Sequence, residues 1–102
     1  MPLTQIDTYE VMYSANIFPP RIWLKHVGKP IGQLIFHPDG SPLPADSAPG
    51  GQANLHYHLE NFENVIDLLR NEKPMYLLYS GSGPGFENGI KTTQEPIGEG
   101  ES

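Results

Sequence analysis

The sequence predicts an α+β fold: an antiparallel sheet of four strands followed by one amphipathic helix and a further strand, in the order β-β-β-β-α-β. Three observations predict it. Segment 21–27, RIWLKHV, alternates polar and apolar residues with the period of two that marks a half-buried strand. Phe62, Val65, Ile66 and Leu69 recur at the i, i+3, i+4, i+7 spacing that lines one stripe of a helix. Proline- and glycine-rich stretches separate these from further short runs of β-branched and aromatic residues.

The elements follow in order. TYEVMYS, at 8–14, is the first strand, and the consecutive prolines of NIFPP end it because each removes a backbone donor. RIWLKHV is the second, GKP at 28–30 the turn, and IGQLIFH at 31–37 the returning strand of a hairpin. PDGSPLPADSAPGG, at 38–51, is a long Pro/Gly loop and the longest connection, where a ligand-responsive segment would lie. ANLHYHL, at 53–59, is the fourth strand, with Leu55, Tyr57 and Leu59 on one face and Asn54, His56 and His58 on the other.

The helix comes next, with Asn61 as N-cap, Glu63 at its positive end, Arg70 at its negative end and Pro74 beyond its close. MYLLYS, at 75–80, is the fifth strand, GSGPGFENG a loop, and GIKTT a short addition before an acidic tail at 93–102 expected to be disordered. Strands joined by short links pair as neighbours, so the expected assembly is an antiparallel meander backed by the helix.

The chain is 102 residues long, enough for a single domain (1–102) and one core. It carries no cysteine, which excludes disulfides and thiolate chemistry and fits a reducing cytoplasm. No apolar run approaches the ~20 residues that span a bilayer, and the N-terminus has no signal-peptide pattern, so the expectation is a cytoplasmic protein without membrane contact. The net charge of −6 works against general phosphate binding, although Arg21, Lys25 and Lys29 cluster.

Two constellations carry chemistry. In LHYHLE, His56 and His58 project from one strand face and could share a metal ion. The string from Gly50 through His56 and His58 to Glu63 resembles the first motif of the cupins, which bind a metal in a small β-barrel. It departs from that motif where Arg70 replaces the later glycine, where Glu63 falls in the helical pattern, and where no histidine follows His58. A zinc site wants three or four protein ligands, and His26 and His37 are the remaining candidates.

In RIWLKH, Arg21, Trp23 and Lys25 occupy one face and Ile22 and Leu24 the other. Cations beside an aromatic ring are what a single-stranded nucleic acid needs, with stacking worth about 1–3 kcal/mol per base. The alternative is that Trp23 packs under a loop or a partner subunit.

The glycines of GSGPGFENG fit neither dinucleotide nor phosphate-loop spacing, no serine sits in a nucleophile elbow, and Glu60 and Glu63 lie where a helix dipole wants acids. No catalytic site and no cofactor are therefore expected. The function expected is that of a non-enzymatic binding or regulatory module, acting as a homodimer or higher oligomer on an unidentified protein partner. The alternatives are single-stranded nucleic-acid binding and metal binding.

As a whole, and above all in YHLENFENVIDLLRNEKPMYLLYSGSGPGFENGI, the chain resembles a small family of uncharacterised cyanobacterial proteins. Their fold is similar to the Whirly and positive-cofactor-four single-stranded-DNA-binding regulators. The resemblance covers residues 8–80 by element order, and it implies a curved antiparallel sheet, a helix and assembly through subunit contacts. It transfers no functional residue, since the lysine-rich face of those regulators has no residue-by-residue match beyond Arg21, Trp23 and Lys25.

Overall fold

The computed structural model describes residues 3–93. The tail expected to be disordered, 93–102, lies outside them except for Thr93. Seven strands form, β1 (Leu3–Ile6), β2 (Thr8–Met12), β3 (Arg21–His26), β4 (Lys29–His37), β5 (Ala53–His58), β6 (Met75–Leu78) and β7 (Gly89–Thr92), with one helix, α1 (Phe62–Asn71). The α+β class stands, but the single four-stranded antiparallel meander is corrected.

There are two sheets. One has three strands in the order β1-β6-β7, and the other has four in the order β2-β3-β4-β5. The second sheet is mixed, because β4 and β5 run parallel. A parallel pair needs a crossover of about a dozen residues or more, and the 38–51 loop supplies it.

The first strand is also corrected: it starts at Thr8 as expected but ends at Met12, and a separate strand, Leu3–Ile6, precedes it. β1 pairs with β6 and β2 with β3, the chain changing sheet at Asp7. Asp7 secures that corner. Its backbone N–H donates to Lys25 O at 2.8 Å, and its Oδ2 accepts the Val27 N–H at 2.5 Å. The hairpin turn is Val27-Gly28, one residue earlier than GKP suggests, with φ of 50° and 76°. A two-residue hairpin turn of type I′ requires such a left-handed pair.

The inner faces meet in one core of Ile6, Ile22, Leu24, Leu34, Phe36, Ala53, Leu55, Val65, Met75 and Leu77. Helix α1 adds the expected stripe: Val65 is buried, and Phe62, Ile66 and Leu69 pack against the core. Asn61 holds the N-cap position without a side-chain capping bond, while Glu63 and Arg70 sit in the first and last turns. No helix among the described residues is long and apolar enough to cross a membrane.

Candidate functional site on the outward sheet face

Alternation sends Ile22 and Leu24 inward and leaves Arg21, Trp23 and Lys25 on the outward face of the four-stranded sheet. Register then decides what each meets. Glu10, Trp23, Gln33 and Asn54 fall in one row across β2, β3, β4 and β5. Their side chains form a ladder: Trp23 Nε1 donates to Gln33 Oε1 at 3.3 Å, Gln33 Nε2 to Asn54 Oδ1 at 3.0 Å, and Asn54 Nδ2 to Ser47 Oγ at 3.4 Å. Trp23 is therefore held in place, half-buried.

The three bases of the cluster are not equivalent. Lys25 pairs with Glu10 at 2.9 Å across neighbouring strands, so its charge is already offset. Arg21 lays its guanidinium 5.5 Å from the centroid of the Trp23 ring, within cation–π range, and makes no ion pair among the described residues. The outward face thus offers one cation and one indole as a unit. Lys29 lies at the hairpin end, exposed.

His56 and His58 share the outward side of β5 as expected, but their partners differ. His56 Nδ1 lies 2.9 Å from His37 Nε2 on β4, one of the two nitrogens carrying the proton, while His58 Nε2 donates to Ser41 O at 2.7 Å. Among the described residues no group of three or more His, Cys, Asp or Glu converges as on a metal ion. No described histidine is hydrogen-bonded to a serine hydroxyl.

The 38–51 loop is tied to β5 and its surroundings. Asp46 Oδ1 accepts the His56 N–H at 2.9 Å and its Oδ2 accepts Asn88 Nδ2 at 3.0 Å, while its carbonyl accepts the Ser82 hydroxyl. Asp39 Oδ1 accepts the Glu60 N–H at 2.7 Å, and Ser47 bridges Asn54 through both backbone groups. Gln33, Asp46 and Asn88 are the participants that the sequence does not single out. The signal for Asp46 is only that aspartate in a proline-rich loop caps free backbone donors.

Burial, and then the neighbouring His37, hold the His56 imidazole below its usual 6.5, with Asp46 acting the other way. The unfolded chain therefore takes up a proton at His56 before the folded one does. This part of stability is intact above 6.5, falls as pH drops from 6.5 to the lowered value, and is flat below it. Replacing His37 with alanine removes one lowering influence, and Asp46→Asn removes the raising one. We expect the His56 midpoint, read from its imidazole NMR shifts, to rise in the first variant and fall in the second.

No family model, no curated protein and no solved structure matches the chain.

Proposed function

We propose that the chain is a non-enzymatic binding module that works as a homodimer, joined through the free edge of β2. The observation that carries this is the unprotected state of that edge. Natural sheets blunt exposed edges with lysine, proline, bulges or covering segments. The β5 edge is covered through Ser47 and Asp46, and β7 carries Lys91. β2 has no outer neighbour among the described residues, contains neither lysine nor proline, and its single charge, Glu10, is spent on Lys25.

Apolar surface continues from it. Val11 and Met12 are exposed, Tyr13 is 61% exposed, Ile17 93% and Phe18 58%. A second copy suits this edge in one antiparallel register. A two-fold axis through Val11 sets Tyr9 against Tyr13 and Glu10 against Met12, whereas an axis through Glu10 would oppose two carboxylates. The product is one eight-stranded sheet with two Arg21–Trp23 units on one face.

A second reading, single-stranded nucleic-acid binding, is favoured by the Arg21–Trp23 pair alone, and the resemblance to the Whirly-like regulators supplies its ligand class. The metal reading has only His56 and His58 behind it.

Sedimentation equilibrium tests the main reading. We expect a mass of twice 11.3 kDa for the wild type and a single-chain mass for Val11→Lys at the same concentration, with the circular dichroism of a folded chain and a melting temperature lowered only by the lost association. A wild type that stays monomeric at 0.1 mM, on the order of a weak encounter, would sink it. Adding an oligothymidine to the same samples decides the second reading, through salt-sensitive quenching of Trp23 that Arg21→Ala weakens.

A further inference from the structure

On the side away from that face, a groove of about 670 Å³ opens between α1, the end of β5 and the β6–β7 hairpin. Its walls are Leu3, Val65, Leu68, Leu78 and Ile90, with Tyr57 at its base. That size lies within the range of small-molecule sites. Leu3 is 45% exposed and Leu68 39%, so apolar wall faces water.

The polar groups are few and unequally committed. Asn88 borders the groove, but its amide already serves Asp46, Gly81 and Ser80. Tyr57 is different. Its ring is fixed by stacking on Phe36 at 5.4 Å, and its hydroxyl reaches the start of β7, beside Gly89. That hydroxyl has no hydrogen-bond partner among the described residues. The mouth carries one charge of each sign, Glu87 and Lys91, which is neutral ground in a chain of net charge −6.

We propose that this groove binds an uncharged, mainly apolar small molecule whose single oxygen acceptor, of the ketone or ester type, takes the Tyr57 hydroxyl proton in a hydrogen bond. The balanced mouth gives a carboxylate no net attraction, because Glu87 opposes what Lys91 offers. Burial, with Asp46 assisting, pushes the Tyr57 phenol up to about 12, so the hydroxyl remains a donor through the physiological range. An acceptor also satisfies the one uncharged polar side chain of the lining that lacks a partner among the described residues, which a pure hydrocarbon leaves unsatisfied.

The test uses the full chain with N-phenyl-1-naphthylamine, a neutral dye that fluoresces in apolar sites, displaced by octan-2-one, octanoate or butylbenzene. We expect the ketone to displace the dye about five- to ten-fold more effectively than the hydrocarbon, the worth of one hydrogen bond. Tyr57→Phe, which keeps the stacked ring, should erase that difference while leaving the dye bound. Leu68→Trp, at a half-exposed helix position, should abolish dye binding without lowering the melting temperature.

Any of four results overturns the proposal: no dye binding by the wild type, equal displacement by ketone and hydrocarbon, stronger displacement by octanoate, or an advantage for the ketone that survives Tyr57→Phe. Self-displacement of the dye as protein concentration rises, lost in Leu68→Trp, would instead assign the groove to a second copy of the chain and also overturn it.

Discussion

Truncating Phe36 to alanine is expected to cost about 3–5 kcal/mol, a large share of the about 5–15 kcal/mol that a domain of this size commands. Phe36 has no exposed surface and stands at the junction of three elements. Its ring stacks on Tyr57 of β5 at 5.4 Å and 24°, and meets Phe62 of α1 edge-on at 4.9 Å and 79°. Phe62 in turn takes Tyr13 edge-on at 5.6 Å, so four rings tie the loop after β2 to β4, β5 and the helix. Each aromatic pair adds about 0.5–1.5 kcal/mol beyond its buried area, and the truncation removes two such pairs and leaves a cavity. Urea unfolding should show a much lower midpoint with an unchanged slope, the signature of lost stability rather than an altered denatured state. Leu43→Ala, at a site 40% exposed, should stay within about 0.5 kcal/mol. A loss below about 1 kcal/mol for Phe36→Ala would mean that the four rings do not pack as one cluster.

The helix and the inward residues of the β3–β4 hairpin were legible because each rests on a local period. Phe62, Val65, Ile66 and Leu69 need only 3.6 residues per turn to share a face, and Ile22 and Leu24 need only alternation. The division into two sheets has no local signal of that kind. Ile6 and Tyr9 both face the core, yet they are three apart, and a continuous strand would send them to opposite faces. The break at Asp7 resolves that conflict, and its anchors, Lys25 and Val27, are about twenty residues away in the chain.

The same holds for the candidate site. The shared face of His56 and His58 follows from period two, but the partner of His56 is set by the register of β4 against β5, which the path of the 38–51 loop determines. A short link would have forced β5 antiparallel and brought a different residue beside His56. The comparison between Trp23 and Lys25 is similar: both point outward by alternation, and only cross-strand pairing shows that Glu10 takes up the lysine while Arg21 stays with the indole.

Gly32→Ala is expected to destabilise by about 1–3 kcal/mol, against the usual sign for the substitution. Exchanging glycine for alanine in an unstrained position normally stabilises by about 0.4–1 kcal/mol, because the unfolded chain loses freedom. Gly32 is buried on β4, and a Cβ there would lie 2.7 Å from Ala53 O, 3.2 Å from Ala53 N and 3.2 Å from Leu77 Cδ2. The tightest of these is backbone of the parallel neighbour β5, which cannot rotate aside as a side chain can. Leu77 belongs to the other sheet, so the absence of a side chain at Gly32 is what lets the two sheets close over the core. Gly85 is the matched control: nothing lies within 4 Å of an added Cβ, so Gly85→Ala should be neutral or stabilising, and the difference between the two isolates native-state crowding. Relief at Gly32 requires β5 to move away from β4, and β5 carries Asn54 and His56. The Gln33–Asn54 bond and the His37–His56 contact should therefore loosen together, and the His56 midpoint should rise toward its usual value as the pair separates. A Gly32→Ala variant that lost no stability, or lost it with the His56 titration unchanged, would place the slack at Leu77 and leave the outward face independent of how the sheets close.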